Sequence, residues 1–230
     1  MRKIYYTLTA LTLSLTSCND LLDRMPDNRL VIDSPEKVQQ ALTNAYPQIA
    51  TTLINEFSSD NIDDIGADNI YSNFLTRETA YWQPILEYNN VDGLQNIWDY
   101  HYKAIGQANA ALDAIETTLH NDASLNPAKG EALVARAYAH FCLVNLFSQA
   151  YNPNTSSSDL GIPYITRPEE EMNPQRQRGT VAQVYQQIAA DLEKGLPLID
   201  DSYYQMPKYH FNKKAAYAFA ARFYLYYQQW

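Results

Sequence analysis

Trp98, Tyr102, Ile105, Ala108, Leu112 and Ile115 step along the chain by three or four residues, and no other feature constrains the fold as much. That spacing is the period of an α-helix and puts one apolar stripe on a long element whose other face, with Asp99, Lys103, Gln107 and Asp113, meets water. The period recurs. Ser34-Pro35-Glu36 supplies an N-cap, a proline at the first helical position and an acid in the first turn, ahead of Val38, Ala41, Leu42, Ala45 and Ile49. Pro47 should kink or shorten that helix. Asn126-Pro127 opens another, with Ala132, Ala135, Tyr138, Ala139, Cys142 and Leu146 inward. Thr180 and Gln183 form a capping box before Val181, Val184, Tyr185, Ile188 and Leu192, and Gly195 with Pro197 ends that helix. Asn212 caps a last one, carrying Ala216, Phe219, Ala220, Phe223 and Trp230. No period-two strand is convincing, so the reading is all-α.

Two of the helices resemble each other. Ala132-Leu133-Val134-Ala135-Arg136-Ala137-Tyr138 aligns with Ala218-Phe219-Ala220-Ala221-Arg222-Phe223-Tyr224. Small residues three apart let helices approach closely, as in tetratricopeptide-type hairpins, where each pair buries its face by stacking on the next. Two stretches lack the pattern. Residues 57–90 are rich in Asp, Asn and aromatics, and residues 151–179 carry Ser156, Ser157 and Ser158 with prolines, longer than ordinary connections. The architecture expected is therefore tetratricopeptide-like hairpins with long irregular loops.

The N-terminus indicates where the protein works. Arg2 and Lys3 precede an apolar run over 4–15, and Leu15-Thr16-Ser17-Cys18 closes it in the manner of a bacterial lipobox. The run is too short for a stable membrane span. The expected organisation is a leader over 1–17, a lipidated tether over 18–33 beginning at Cys18, and a helical domain over 34–230. The sequence stops at Trp230 within an apolar helical pattern, which predicts further C-terminal sequence.

Charge and residue inventory exclude several chemistries. Seventeen basic residues face 26 acidic ones, a net charge of −9 that argues against nucleic acid. With Cys18 lipidated, Cys142 stands alone among Phe141, Leu143 and Leu146, as a packed thiol rather than a disulfide partner or nucleophile. His101, His120, His140 and His210 have no zinc-site spacing and read as solvated or hydrogen-bonded. A calcium loop starting at Asp60 would place Ile62 at its third ligand position, so no metal is expected there. Neither a nucleophile elbow nor a phosphate loop occurs, and no cofactor is implied. Glu169-Glu170-Glu171 reads as a solvated loop.

Six ordered blocks resemble the SusD/RagB family of Bacteroidetes outer-membrane lipoproteins. They are Cys18-Asn19-Asp20-Leu21-Leu22-Asp23 with Pro26, then Ala41-Leu42-Thr43-Asn44-Ala45-Tyr46, then Trp98-Asp99-Tyr100-His101-Tyr102-Lys103-Ala104-Ile105 with Ala108-Asn109. Gly130-Glu131-Ala132 with Arg136-Ala137-Tyr138, Gly161-Ile162-Pro163, and Arg178-Gly179-Thr180-Val181 with Tyr185 and Asp191-Leu192-Glu193 follow. The pattern departs at Ser148-Gln149-Ala150, where the family commonly has a glycine after Leu-Phe, and the family is considerably longer.

The resemblance implies a cell-surface binding protein rather than an enzyme. It would be anchored in the outer membrane by lipid, face the exterior, capture an oligosaccharide or peptide, and deliver it to a SusC-like TonB-dependent transporter. Sugars need flat rings for their CH faces and planar polar groups for their hydroxyls. Tyr71, Arg77, Tyr81 and Trp82 beside Asp60 and Asn69 have that inventory and are the expected ligand-binding residues, whereas Trp98, on its helical stripe, is expected in the core. A surface-anchored hydrolase and a purely structural helical-repeat lipoprotein are the alternatives; turnover of a glycan or peptide would favour the first, and pairing with a barrel without nutrient binding the second.

Overall fold

Seven α-helices account for the regular structure of the described residues, which in this computed structural model are 31–66, 73–86, 90–169 and 176–229. They are α1 (Pro35–Thr43), α2 (Thr52–Phe57), α3 (Phe74–Ala80), α4 (Leu94–Thr117), α5 (Asn126–Phe147), α6 (Val181–Gly195) and α7 (Lys213–Tyr226). Among these residues there is no strand, and Leu160 and Thr180 form an isolated antiparallel bridge. The all-α expectation is met.

Local chemistry sets the helix starts. The Ser34 hydroxyl accepts the Lys37 N–H and Pro35 occupies the first turn of α1. Thr180 and Gln183 exchange both bonds of a capping box on α6, and Asn212 accepts the Ala215 N–H on α7. One expectation is met and two need correction. Pro47 shortens the first helix: α1 ends at Thr43, before Ala45 and Ile49, because Pro47 lacks the N–H that would bond the Thr43 carbonyl. The chain then turns and restarts as α2. Residues 57–90 contain α3, too short to show a stripe. Finally, α7 stops at Tyr226, and Trp230 lies outside the described residues.

α5 is the hub, packed against α4 on one side and α6 on the other. Residues 130–137 are buried without a break, as a helix covered all round requires. Gly130 and Gly195 permit the α5–α6 contact: a Cβ on Gly130 would lie 2.8 Å from the Gly195 carbonyl oxygen, and one on Gly195 would lie 2.9 Å from that of Gly130. α4 and α5 form a hairpin over a short link, while α5 and α6 are neighbours despite the long segment between them. α1 adds Val38 and Leu42, both wholly buried, and α7 adds Phe219 and Phe223 against Phe141. The repeated segment diverges in role, since Arg136 is buried and its counterpart Arg222 is exposed.

The segment over 162–167 lies against α4 and α5 with its backbone held by side chains. Tyr102 donates to the Pro163 carbonyl at 2.7 Å, Asn109 to that of Ile165 at 3.0 Å, and Arg136 to that of Thr166 at 3.2 Å. His140 accepts the Ile165 N–H at 3.1 Å and stacks on Tyr164 at 3.8 Å. Buried backbone groups need partners, and here side chains replace a ladder. A smaller cluster of Ile54, Leu75 and Ile97, with Ile49, Ile85 and Leu146 around it, holds α2 and α3 to the start of α4.

Candidate binding site

That smaller cluster decides which face of α3 meets solvent. Leu75 is fully buried, with Thr76 and Thr79 turned in beside it, so Phe74, Arg77 and the C-cap residue Tyr81 face outward. The Asn73 side chain caps the helix by accepting the Thr76 N–H at 2.8 Å. Arg77 and Tyr81 form a shared wall between two open grooves. One, about 560 Å³, runs along Phe74, Glu78, Pro84 and Leu86; the other, about 480 Å³, runs along Phe57, Asp64 and Gly66.

Tyr81 has a hydrogen-bond partner on the same face. Its hydroxyl donates to the Asp64 carboxylate, which also accepts the Gly66 N–H at 2.7 Å. Those bonds, that of Tyr81 first, hold the Asp64 carboxyl below the usual carboxylate range, and the same carboxylate pushes the Tyr81 hydroxyl up. Trp82 follows with φ 53° and 78% of its surface exposed. The left-handed residue closes the C-terminus of α3, with the Trp82 N–H donating to the Thr79 carbonyl at 3.1 Å and the Gln83 N–H to that of Glu78 at 2.8 Å, and this cap turns the ring out to solvent. The Tyr81 ring, the Arg77 guanidinium and the Asp64 carboxylate meet at one groove, with the exposed Trp82 ring next in the chain, the chemistry of stacking and hydrogen bonding.

Of the expected residues, Arg77 and Tyr81 line both grooves, whereas Trp82, next in the chain and exposed, lines neither. Asp60 is exposed in the turn after α2 and lines neither groove. Asn69, Tyr71 and Cys18 lie outside the described residues. Asp64 is the partner that residue inventory alone did not single out; the i, i+4 spacing of Arg77 and Tyr81 was the available signal for their shared face. Among the described residues no three His, Cys, Asp or Glu converge as metal ligands. Burial pushes the Cys142 thiol up to about 11, in keeping with a packed thiol.

The expectation for Trp98 holds only in part. Its ring is braced edge-on by Phe147 at 5.0 Å, yet it is half-buried and also lines a cleft of about 920 Å³ with Tyr102, Lys103, Arg167 and Arg176. The stripe places one edge of the ring, and the course of 163–169 leaves the other open.

Residues 20–225 match the family described as starch-binding and associating with the outer membrane. The chain belongs to the SusD-like family. No curated protein sequence matches it significantly. Among solved SusD-like structures, a SusD superfamily protein from Bacteroides thetaiotaomicron is similar at 25% identity and a TM-score of 0.64, over 84% of this chain and 43% of that one. A SusD-like carbohydrate binding protein from Bacteroides vulgatus matches at 21% and 0.56, covering 85% and 41%. A laminarin binding SusD-like protein matches at 19% and 0.62, covering 86% and 42%. This chain therefore spans less than half the length of these SusD-like relatives.

Proposed function

We propose that this SusD-like chain captures a glycan at the α3 face and passes it to a SusC-like TonB-dependent transporter. The observation that carries this reading is the outer face of α3, where Arg77 and Tyr81, the latter bonded to Asp64, wall two grooves and the exposed Trp82 follows next in the chain. Sugar rings stack their CH faces on such aromatics, and guanidinium and carboxylate groups bind the hydroxyls. Family membership and the sugar-binding relatives agree with a carbohydrate ligand.

In this proposal residues 1–17 are an export leader, Cys18 carries lipid in the outer membrane, and 18–33 tether the helical domain on the cell exterior. No described helix is long and apolar enough to cross a membrane. The function is binding and delivery rather than turnover.

Titration calorimetry with laminari-oligosaccharides and malto-oligosaccharides tests the reading. At least one series should bind, Trp82→Ala should weaken it, and the glycan should be recovered intact. Hydrolysis of the glycan, or equal binding by Trp82→Ala, would sink the proposal, and binding of peptides alone would reassign the ligand class.

A further inference from the structure

Gly106 lies near the middle of α4, where glycine is a poor helix former because of the entropy it loses. Among the described residues no packing contact requires it. Its φ is not positive, and a Cβ built there meets no atom within 4 Å, whereas at Gly130 and Gly195 the added carbon would strike backbone. The empty space over Gly106 is part of the 920 Å³ cleft, within the roughly 300–1,000 Å³ of small-ligand sites.

Two walls of that cleft are braced by contacts within the chain. Trp98, Tyr102 and Gly106 follow one i, i+4 ridge of α4, so two rings end in a gap one side chain wide. The rings are 4.9 Å apart and inclined by 52°. Phe147 braces Trp98, and the Tyr102 hydroxyl is tied to the Pro163 carbonyl. Lys103, Arg167 and Arg176 gather at the rim of a chain whose net charge is −9. Asp99, which accepts from the neutral Gln95 amide and keeps its charge, and Glu169, 4.0 Å from Arg176, share the rim. The Lys103 ammonium sits 4.6 Å over the Tyr100 ring, so Arg167 is the cation left to face an anionic ligand. Among the described residues Arg167 makes no ion pair.

We propose that this cleft is a second binding site, separate from the α3 face, for an acidic saccharide: a uronate-containing oligosaccharide with one ring seated over Gly106 against Tyr102 and Trp98 and its carboxylate on Arg167. The guanidinium fork matches a carboxylate bidentately, and the ring pair accepts the apolar face of a sugar. Gly106 keeps the floor flat for close approach, which accounts for its place in the helix.

Calorimetry on the purified chain with trigalacturonate, and with maltotriose as the neutral probe of equal length, tests the site. Trigalacturonate should bind more weakly as salt rises, and maltotriose about tenfold or more weaker, the loss of one charge-assisted contact. Gly106→Leu, which fills the gap, and Arg167→Gln should each reduce trigalacturonate affinity by about tenfold or more. Gly106→Leu should melt at or above the wild-type temperature, and Trp82→Ala should bind trigalacturonate unchanged. No trigalacturonate binding by the wild type, wild-type affinity in Gly106→Leu, or equal binding of maltotriose overturns the proposal. So does a lowered melting temperature in Gly106→Leu, which would show that the glycine is packed within the chain. Loss of trigalacturonate binding in Trp82→Ala would put the ligand on the α3 face instead. The laminari-oligosaccharide titrations report on that face separately.

Discussion

Arg136 donates from Nε and Nη2 to the two carboxylate oxygens of Asp191, both at 2.7 Å, across 55 residues of sequence. The pair joins α5 to α6 with both side chains only 8% exposed. Its remaining contacts are satisfied, because Nη1 reaches Asn109 at 2.9 Å and Tyr164 donates to Asp191 at 2.7 Å. Removing one partner leaves a buried charge, so Asp191→Ala should destabilise by about 3–5 kcal/mol. Replacing both residues with apolar ones of similar volume should cost less. Arg222→Ala, at the exposed counterpart, should change stability by no more than about 0.5 kcal/mol. Urea unfolding of the three variants checks the order.

Glycine substitutions should split by position. Gly130→Ala adds a carbon 2.8 Å from the Gly195 carbonyl oxygen and must push α5 off α6, at a cost of about 1–3 kcal/mol. Gly106→Ala meets nothing and should stabilise by about 0.4–1 kcal/mol through helix propensity and unfolded-state entropy. Thermal unfolding of the two variants should move in opposite directions.

His140 should make the fold acid-sensitive. Its Nδ1 lies 2.9 Å from the Arg136 carbonyl and its Nε2 accepts the Ile165 N–H, an arrangement that suits the neutral ring, and burial pushes it down to about 3. An unfolded histidine titrates near 6.5, so below that pH the unfolded chain binds a proton the folded chain does not. Stability should therefore fall on acidification by about 1.4 kcal/mol per unit from that group, from about pH 6.5 to about pH 3. His101, also lowered by burial, acts with the same sign. His140→Phe should be about 1–3 kcal/mol less stable at neutral pH, with the Ile165 N–H left unpaired, and should show a shallower acid limb. An equally steep limb would assign the acid loss to carboxylates.

Trp82 separates strain from binding. Trp82→Ala keeps left-handed backbone on an exposed residue and should leave the melting temperature nearly unchanged, whereas Trp82→Gly should gain about 1 kcal/mol. Both should weaken glycan binding by about 1–3 kcal/mol, the loss typical of an anchor aromatic. Binding and unfolding calorimetry on the pair reads both quantities.

Cys18→Ala should leave the protein unprocessed or release it from membranes, because the residue after Leu15-Thr16-Ser17 would no longer accept lipid. Lipid labelling that persists in the variant would contradict the anchor.

Much of the scaffold was legible because its signals are local. A cap needs three neighbouring residues, and a stripe needs only its own helix, so Ser34, Thr180 with Gln183, and Asn212 marked their helices directly. α3 was illegible. Its seven residues are held through Leu75 by Ile54 and Ile97, which no local window contains. The same limit split the candidate site: Tyr81 and Trp82 announced themselves as aromatics, while Asp64, 17 residues from Tyr81, became its partner only through contact in space.

The sequence by itself determined the helical class and the blocks that resemble the SusD/RagB family, and it supplied the run before Cys18 on which the proposed anchor rests. What only the tertiary structure decided is how those blocks satisfy one another. Tyr46 donates to Glu131, Tyr102 to Pro163, Arg136 to Asp191, and Arg178 to the carbonyl of Gly161. Tertiary packing also left Trp98 half open over a cleft instead of sealed in the core. Periodicity records which side of a helix prefers to leave water. Which polar group becomes the partner of another, and where a gap remains, depends on contacts between segments far apart in the chain, and these form only when the whole chain packs.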